Sequence, residues 1–222
     1  QEKKDFEKLV GMNHSLAQTV KQCKATISYP PNGLPMLLYG PTGTGKSLIA
    51  KLTYEWARNQ GVIAKDGQFI QVNCSEYANN PELLTANLFG HVKGAFTGAE
   101  KDNEGLIALA DNGVLFLDEV HKYPTWSKEL KEIYDLYPSL QVVFSGSSLL
   151  NILNADADLS RRCLAYNMYG LSFREYLVFY KDIRFPVMTL PEVLENAGSI
   201  CQDVNAQCRP VQMFNEYLHE GY

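Results

Sequence analysis

The chain has 222 residues, of which 45% are hydrophobic and 20% charged, so an intrinsically disordered or collagen-like protein is excluded, and no apolar run approaches the roughly 18 residues of a membrane span. Twenty Lys and Arg residues against 25 Asp and Glu give a net charge of −5, which is the wrong sign for binding nucleic acid through bulk charge. Because no apolar leader segment is visible at the start and the five cysteines form no CxxC pair, we expect a cytoplasmic protein with reduced thiols.

Strand and helix signals alternate along the first two thirds of the chain. Helical spacing begins at Ser15, and a turn cluster at 30–33 separates this helix from the first strand. Apolar segments of strand length lie at 37–39, 69–72, 114–117 and 141–144. Helix signals lie between them at 46–59, from Pro81 onward and at 130–136. This alternation is typical of a parallel sheet covered by helices on both faces, which is a three-layer α/β fold.

A glycine-rich loop directly follows the first strand and directly precedes a helix. It matches the P-loop pattern GxxxxGK[ST] at every position, with Gly40, Pro41, Thr42, Gly43, Thr44, Gly45, Lys46 and Ser47. Backbone N–H groups of such a loop surround phosphate oxygens, and the helix N-terminus adds partial positive charge. We expect Lys46 to contact the β- and γ-phosphates of ATP, Ser47 to ligate Mg²⁺, and the loop to be exposed enough that the fold tolerates Lys46→Ala. The alternative is a glycine-rich turn with a chance lysine.

Two acids, Asp118 and Glu119, follow the apolar strand 114–117. In a P-loop protein the first acid supports Mg²⁺, and the second can orient or deprotonate the attacking water. The alternative is a solvated acidic turn at the end of a strand. Beside a P-loop, the second acid favours hydrolysis of the nucleotide over binding alone.

Further polar residues could complete the site. Ser145 follows the strand 141–144, where a side chain would lie beside the γ-phosphate, and a plain Ser/Gly turn is the alternative. Arg161 and Arg162 could supply an arginine finger that acts in trans on the nucleotide of a neighbouring subunit, or they form a solvated basic pair. The four histidines (14, 91, 121 and 219) show no metal-ligand spacing, so we expect them at the surface or in caps.

The segment 90–105 is polar and glycine-rich, which predicts an exposed excursion. Within it, Phe96 is flanked by glycines and small residues, where it either tucks under its own loop or is offered to a partner. The sequence Leu-Phe-Gly-His-Val-Lys-Gly-Ala-Phe-Thr-Gly-Ala (88–99) resembles the signature loop of sigma-54-dependent transcription activators, a branch of the AAA+ ATPases. The P-loop, Val-Asn-Cys (72–74), this loop and Leu-Phe-Leu-Asp-Glu (115–119) match that family in order over residues 6–121, most closely in the variety that activates sugar-phosphotransferase operons.

The resemblance implies an AAA+ ATPase that assembles into a ring and opens promoters with the sigma-54 RNA polymerase holoenzyme. Phe96 and Thr97 would contact the sigma factor, and DNA would be bound only through a domain missing from this fragment. We expect an AAA+ nucleotide-binding α/β core at 1–168. Because strand signals fade after about Gly170, we expect a helical lid, or the start of a following domain, at 169–222.

Residues 115–222 also resemble a second family, the prokaryotic AAA-type ATPases that often carry a C-terminal domain of unknown function. The similar segments are 121–126, 144–148, 158–162 and 170–176. An ATPase without a sigma-54 role, or a hybrid of the two families, is therefore the alternative function. A nucleotide-regulated binding module that hydrolyses almost nothing is a third.

Overall fold

The structure is a computed structural model that describes residues 5–12, 14–95, 100–123, 126–147 and 163–220. Five parallel strands form one sheet in the order β2-β3-β4-β1-β5 within these residues. The strands are β1 (Met36–Tyr39), β2 (Phe69–Asn73), β3 (Val114–Asp118), β4 (Gln141–Gly146) and β5 (Leu164–Asn167). The four strands predicted from apolar runs are thus confirmed, each with small extensions.

Helices alternate with the strands and continue after the last one. They are α1 (Ala17–Ile27), α2 (Lys46–Asn59), α3 (Pro81–Phe89), α4 (Leu106–Leu109), α5 (Trp126–Leu136), α6 (Phe173–Lys181), α7 (Leu190–Glu195), α8 (Ala197–Gln207) and α9 (Pro210–Glu220). The predicted bounds of α2 are confirmed at both ends. Helix α5 begins one turn earlier than the sequence pattern predicts, because Trp126 is buried in its first turn.

Successive strand residues point to opposite faces of the sheet and enter two separate cores. Leu115 and Leu117 pack with residues of α3 and α5, whereas Val114 and Phe116 pack with residues of α1 and α2. Strand β3, which lies between β2 and β4, is buried on both faces, and this explains its continuous apolar sequence. The three-layer α/β arrangement predicted from the sequence is confirmed.

The sequence pattern does not predict strand β5. This strand pairs with β1 at the edge of the sheet, with Tyr166 opposite Leu38. Leu164 is 42% exposed, and only Tyr166 of the four residues is buried. An edge strand this short carries little apolar signal. The sequence therefore predicts no strand here and places the end of the α/β core at these residues.

Within residues 163–220, four helices follow the last strand, as the loss of strand signals after Gly170 indicates. The rings of Phe173 in α6 and Phe214 in α9 meet edge to face with centroids 5.2 Å apart, and Tyr176 and Tyr217 meet at 5.4 Å. Helices α7 and α8 bury none of their side chains. The division into a core at 1–168 and a lid or following domain at 169–222 stays a prediction.

A buried carboxylate connects α6 with the start of the chain. Glu175 is 3% exposed, and its carboxylate accepts hydrogen bonds from the Ser172 backbone N–H at 2.8 Å and from the Ser15 hydroxyl at 2.5 Å. Burial raises the pKa of Glu175, but the hydrogen bonds from Ser15 and Ser172 outweigh it and hold the pKa below its ordinary value. The ionised carboxylate is therefore the form that the fold stabilises.

Glu175→Gln is expected to lower the free energy of unfolding at pH 7 by about 1–3 kcal/mol, because an amide N–H₂ would then face hydrogen-bond donors. Since the folded pKa is depressed, this stabilisation is present above the unfolded-state pKa and is lost as the pH falls through the folded pKa. Denaturant unfolding at neutral and acidic pH measures both effects. Glu192→Gln is the matched control, because Glu192 forms the same capping box with Thr189 in the exposed helix α7 and should lose less stability. Equal losses in the two variants would contradict a special role for the buried bond to Ser15.

Candidate nucleotide-binding site

The glycine-rich loop connects the end of β1 to the first residue of α2. Gly40 must be glycine, because a Cβ atom there would lie 2.2 Å from the backbone oxygen of Met168. Gly45 precedes the first residue of α2 with φ +83°, a left-handed conformation that favours glycine. The loop therefore directs backbone N–H groups and the N-terminus of a 14-residue helix toward the same space.

Lys46 does not extend into solvent, contrary to the expectation that the whole loop is exposed. Pro41, Thr42 and Gly43 are exposed, but Lys46 is only 5% exposed. Its ammonium donates hydrogen bonds to the backbone oxygens of Gly40 and Pro41, each at 2.9 Å. The lysine is thus held inside its own loop by carbonyl groups that an incoming phosphate would replace.

Asp118 lies at the centre of the candidate site. The Ser47 hydroxyl donates to Asp118 Oδ2 at 2.8 Å, and the Ser145 hydroxyl donates to Asp118 Oδ1. These three residues come from α2, β3 and β4, whose ends meet at the carboxyl edge of the sheet because β3 and β4 are parallel neighbours. The structure therefore brings together three residues that the sequence assigned to one site.

Glu119 has a strained backbone. Its φ of 54° and ψ of 41° are left-handed values that are uncommon for a residue other than glycine. Its N–H donates to Ser145 Oγ at 3.2 Å and to Asp118 Oδ1 at 3.1 Å. Such strain is typical of functional sites, and here it directs the Glu119 side chain away from the path of β3.

His121 lies beside the candidate site with a buried side chain, whereas it was expected at the surface or in a cap. Its side chain is 7% exposed, and Nε2 lies 3.6 Å from Glu119 Oε2 and 2.8 Å from Ser147 Oγ. The Ser147 N–H donates to His121 Nδ1 at 3.3 Å. Burial lowers the pKa of His121, the Glu119 carboxylate opposes this, and Lys122 and Lys46 lower the pKa further, with a net shift downward.

A cavity of about 250 Å³ opens beside the P-loop. One wall is the loop segment 43–45, the second is formed by the N-terminal segment 8–10 with Ser15 and Leu16, and the third carries aromatic rings. Those rings belong to Tyr169, Phe179 and Tyr180. A planar apolar group could bind here next to a phosphate-binding loop.

The donor set around Asp118 is compatible with Mg²⁺. One carboxylate and one hydroxyl are hard oxygen ligands, and Mg²⁺ is commonly bound by one or two protein oxygens together with substrate phosphates and water. The assignment of Ser47 and Asp118 as its ligands stays a prediction.

Four candidate residues lie outside the described part of the chain. Phe96 and Thr97 belong to the undescribed segment 96–99, and Arg161 and Arg162 belong to 148–162. The base of the first segment is described: His91 and Asn103 form an antiparallel bridge with N···O distances of 2.9 and 2.8 Å. The excursion predicted at 90–105 is therefore closed at its base.

Comparison with known proteins identifies relatives over about half of the chain. The chain is 48% identical over 125 residues to the transcriptional regulatory protein LevR of Bacillus subtilis, covering 56% of this chain and 13% of LevR. It is 46% identical over 119 residues to the transcriptional regulatory protein DagR of Salmonella typhimurium, covering 53% of this chain and 12% of DagR. The chain thus spans only a small part of the length of these curated relatives.

Solved structures share the fold. NtrX from Brucella abortus aligns with a TM-score of 0.56 and 22% identity over 77% of this chain and 38% of NtrX. AMPPCP-bound DnaA from Aquifex aeolicus aligns with a TM-score of 0.50 and 15% identity over 98% of this chain and 64% of DnaA. The AAA+ P-loop fold implied by the sequence is confirmed. Within the described ranges, no helix combines the length and apolar character needed to cross a membrane.

The family model described as the sigma-54 interaction domain matches residues 9–136. The match includes the P-loop, the excursion at 90–105 and the two acids Asp118 and Glu119 at the end of β3. It ends at residue 136, so the second resemblance, over 115–222, stays a prediction. Because more than half of the chain is matched, the chain belongs to the sigma-54 interaction domain family.

Proposed function

We propose that this chain binds ATP with Mg²⁺ and hydrolyses it as the central domain of a sigma-54-dependent transcription activator. The observation that carries the proposal is the cluster of Ser47, Asp118 and Ser145 around one carboxylate at the end of the P-loop helix. Membership of the sigma-54 interaction domain family supports the link to transcription.

Binding of the triphosphate would use groups that the structure already orients. Backbone N–H groups of the loop and the N-terminus of α2 attract phosphate oxygens. The Lys46 ammonium would exchange the carbonyl oxygens of Gly40 and Pro41 for β- and γ-phosphate oxygens. Ser47 and Asp118 would hold Mg²⁺, which when bound neutralises charge that develops on the phosphates.

The aromatic cavity beside the loop is the candidate site for the base. Its wall 43–45 is part of the P-loop, so a nucleoside in the cavity would lie next to its own phosphates. Tyr169 and Tyr180 present rings that suit stacking on a purine. This placement supports a nucleotide rather than an inorganic phosphate as the ligand.

Hydrolysis requires a base for the attacking water, and Glu119 is the candidate. Glu119 is the residue after Asp118, and its backbone N–H donates a hydrogen bond to Ser145 Oγ. Ser145 would report the presence of the γ-phosphate through the same contact. Arg161 or Arg162 of a neighbouring subunit in a ring would stabilise the transition state in trans.

The output of hydrolysis would be a change in the excursion that carries Phe96 and Thr97. A segment closed at its base by the His91–Asn103 bridge can be raised or lowered as a unit by the nucleotide state. In the raised state it would bind sigma-54. DNA would be bound by another part of the longer protein, and the cytoplasm is where such a protein would act.

The proposal is tested by association with sigma-54 in the presence of ADP and a transition-state analogue of the γ-phosphate. The parent protein is expected to bind sigma-54 only with the analogue, and Phe96→Ala is expected to weaken that binding by about 30-fold or more, as for an aromatic hot spot. Its ATP turnover should be unchanged. Gel shift or pull-down measures the association.

Tyr29→Ala is the control for loss of an exposed aromatic side chain. Tyr29 is 55% exposed and lies before β1, at the amino ends of the strands and away from the candidate site. Absence of analogue-dependent association in the parent protein would contradict the transcriptional role. Mg²⁺-dependent turnover without that association would leave an ATPase of the alternative kind.

A further inference from the structure

We propose that His121 is a positioning residue that holds the carboxylate of Glu119 in the orientation needed to accept a proton from the attacking water. The inference rests on the proposed ATPase function. It assigns a role to a residue that lies outside the P-loop and outside the acidic pair.

The first observation is that His121 is buried beside the candidate base. Its side chain is 7% exposed, whereas that of Glu119 is 26% exposed, so the imidazole forms the inner wall against which the carboxylate lies. The distance of 3.6 Å between His121 Nε2 and Glu119 Oε2 is longer than a hydrogen bond. Catalytic contacts are often long without substrate and shorten when substrate binds.

The second observation is that Ser147 determines which ring nitrogen carries the proton. The backbone N–H of Ser147 donates to His121 Nδ1 at 3.3 Å, so Nδ1 is the acceptor of the neutral ring. The proton therefore lies on Nε2, which donates it to Ser147 Oγ at 2.8 Å and faces Glu119 Oε2 at 3.6 Å. An N–H group beside a carboxylate restricts the positions that the carboxylate oxygens adopt, and a general base acts only from a defined orientation.

The same arrangement excludes His121 as the base itself. Nδ1 uses its lone pair for the Ser147 N–H, and protonated Nε2 has no lone pair to accept a proton from water. Burial lowers the pKa of His121, which keeps the ring neutral near pH 7. His121 is therefore suited to orient Glu119 but not to replace it.

Two neighbouring bonds show that Glu119 is held from both ends. Its backbone N–H is bonded to Ser145 at 3.2 Å, and its side chain faces His121, which is bonded to Ser147 at 2.8 Å. Ser145 is the last residue but one of β4, and Ser147 is the first residue after that strand. The main chain of the candidate base is thus bonded to β4, and its side chain lies against a ring that is bonded to the residue after β4.

Steady-state turnover of Mg²⁺-ATP by the full chain tests the inference. His121→Ala is expected to lower kcat about tenfold with KM unchanged, because a small misplacement of a catalytic group slows the chemical step without affecting phosphate binding. His121→Gln should retain a kcat within about threefold of the parent, since its amide can accept from the Ser147 N–H and donate to Glu119. Lys122→Ala is the control, because Lys122 is the next residue in the chain and is exposed.

The decisive measurement is a double-mutant cycle. In a Glu119→Gln background, His121→Ala should change the residual turnover by less than about twofold, because the carboxylate that His121 orients is gone. Additive losses, a parallel rise in KM, or failure of His121→Gln to exceed His121→Ala would each show a merely structural role and overturn the inference. If His121→Ala does not fold, the Gln variant and its cycle decide alone. A parent protein without turnover overturns the proposed function, whereas parent-like kcat in His121→Ala overturns only the role of His121.

Discussion

Glu119→Gln is expected to bind ATP with the affinity of the parent protein and to hydrolyse it roughly 10²–10⁴ times more slowly, the range for loss of a positioned general base. Glutamine has the same size and can take the same left-handed backbone. The hydrogen bonds that Glu119 donates to Ser145 and Asp118 come from its backbone N–H, so they persist in the variant. Only the basicity of the side chain is removed.

The experiment separates binding from chemistry. Calorimetry measures the affinity for Mg²⁺-ATP, and single-turnover hydrolysis measures the chemical step. Glu132→Gln is a matched control, because Glu132 is a partly exposed carboxylate on α5 that pairs only loosely with Lys128 at 3.9 Å. Turnover equal to that of the parent protein would remove Glu119 from the mechanism and favour a role for Asp118 alone.

The sequence predicted the residues that lie at strand ends. In a parallel sheet the carboxyl ends of all strands meet at one edge, so an acid after β3 and a serine at the end of β4 must come close to the loop after β1. The hydrogen bonds from Ser47 and Ser145 to Asp118 follow from that topology. No knowledge of side-chain packing was needed.

His121 could not be recognised in the same way. Its partner Ser147 is 26 residues further along the chain, and the two meet only because β3 and β4 are neighbours in register. A histidine that orients a carboxylate does not need the sequence spacing of metal-ligating histidines, so the absence of that spacing gave no information about His121. The available signal was that His121 lies two residues after Glu119, on a short 3₁₀ turn.

The aromatic cavity beside the P-loop and strand β5 were missed because their signals are distributed over several segments. The cavity combines the segments 8–10, 43–45 and 169–171 with rings of α6, none of which forms a motif by itself. Strand β5 owes its place to hydrogen bonds with β1 rather than to apolar burial. Features assembled from distant segments at an exposed edge are those that local patterns record least.

Lys46→Ala is expected to weaken binding of Mg²⁺-ATP by roughly 30- to 4,000-fold, which corresponds to about 2–5 kcal/mol for truncating one partner of a hydrogen-bonded charge pair. The structure shows why the effect should fall short of the full strength of an ammonium–phosphate contact. Before ATP binds, the ammonium already makes two hydrogen bonds to Gly40 and Pro41, and these must be given up. What remains is the difference between anionic phosphate oxygens and two neutral carbonyl oxygens as partners of the same ammonium group.

Because Lys46 is buried, Lys46→Ala is expected to change the stability of the protein as well as its affinity for ATP. Because the empty loop loses two hydrogen bonds in Lys46→Ala, the variant should be somewhat less stable without nucleotide, and thermal unfolding without ligand gives that baseline. Lys51→Ala is the matched control, since Lys51 lies on the same helix with an exposed side chain. AMP provides a second control, because it lacks the β- and γ-phosphates and its affinity should be the same for parent and variant. Equal losses for AMP and ATP would mean that the loop had collapsed, and equal ATP affinity in variant and parent would exclude Lys46 from the phosphate site.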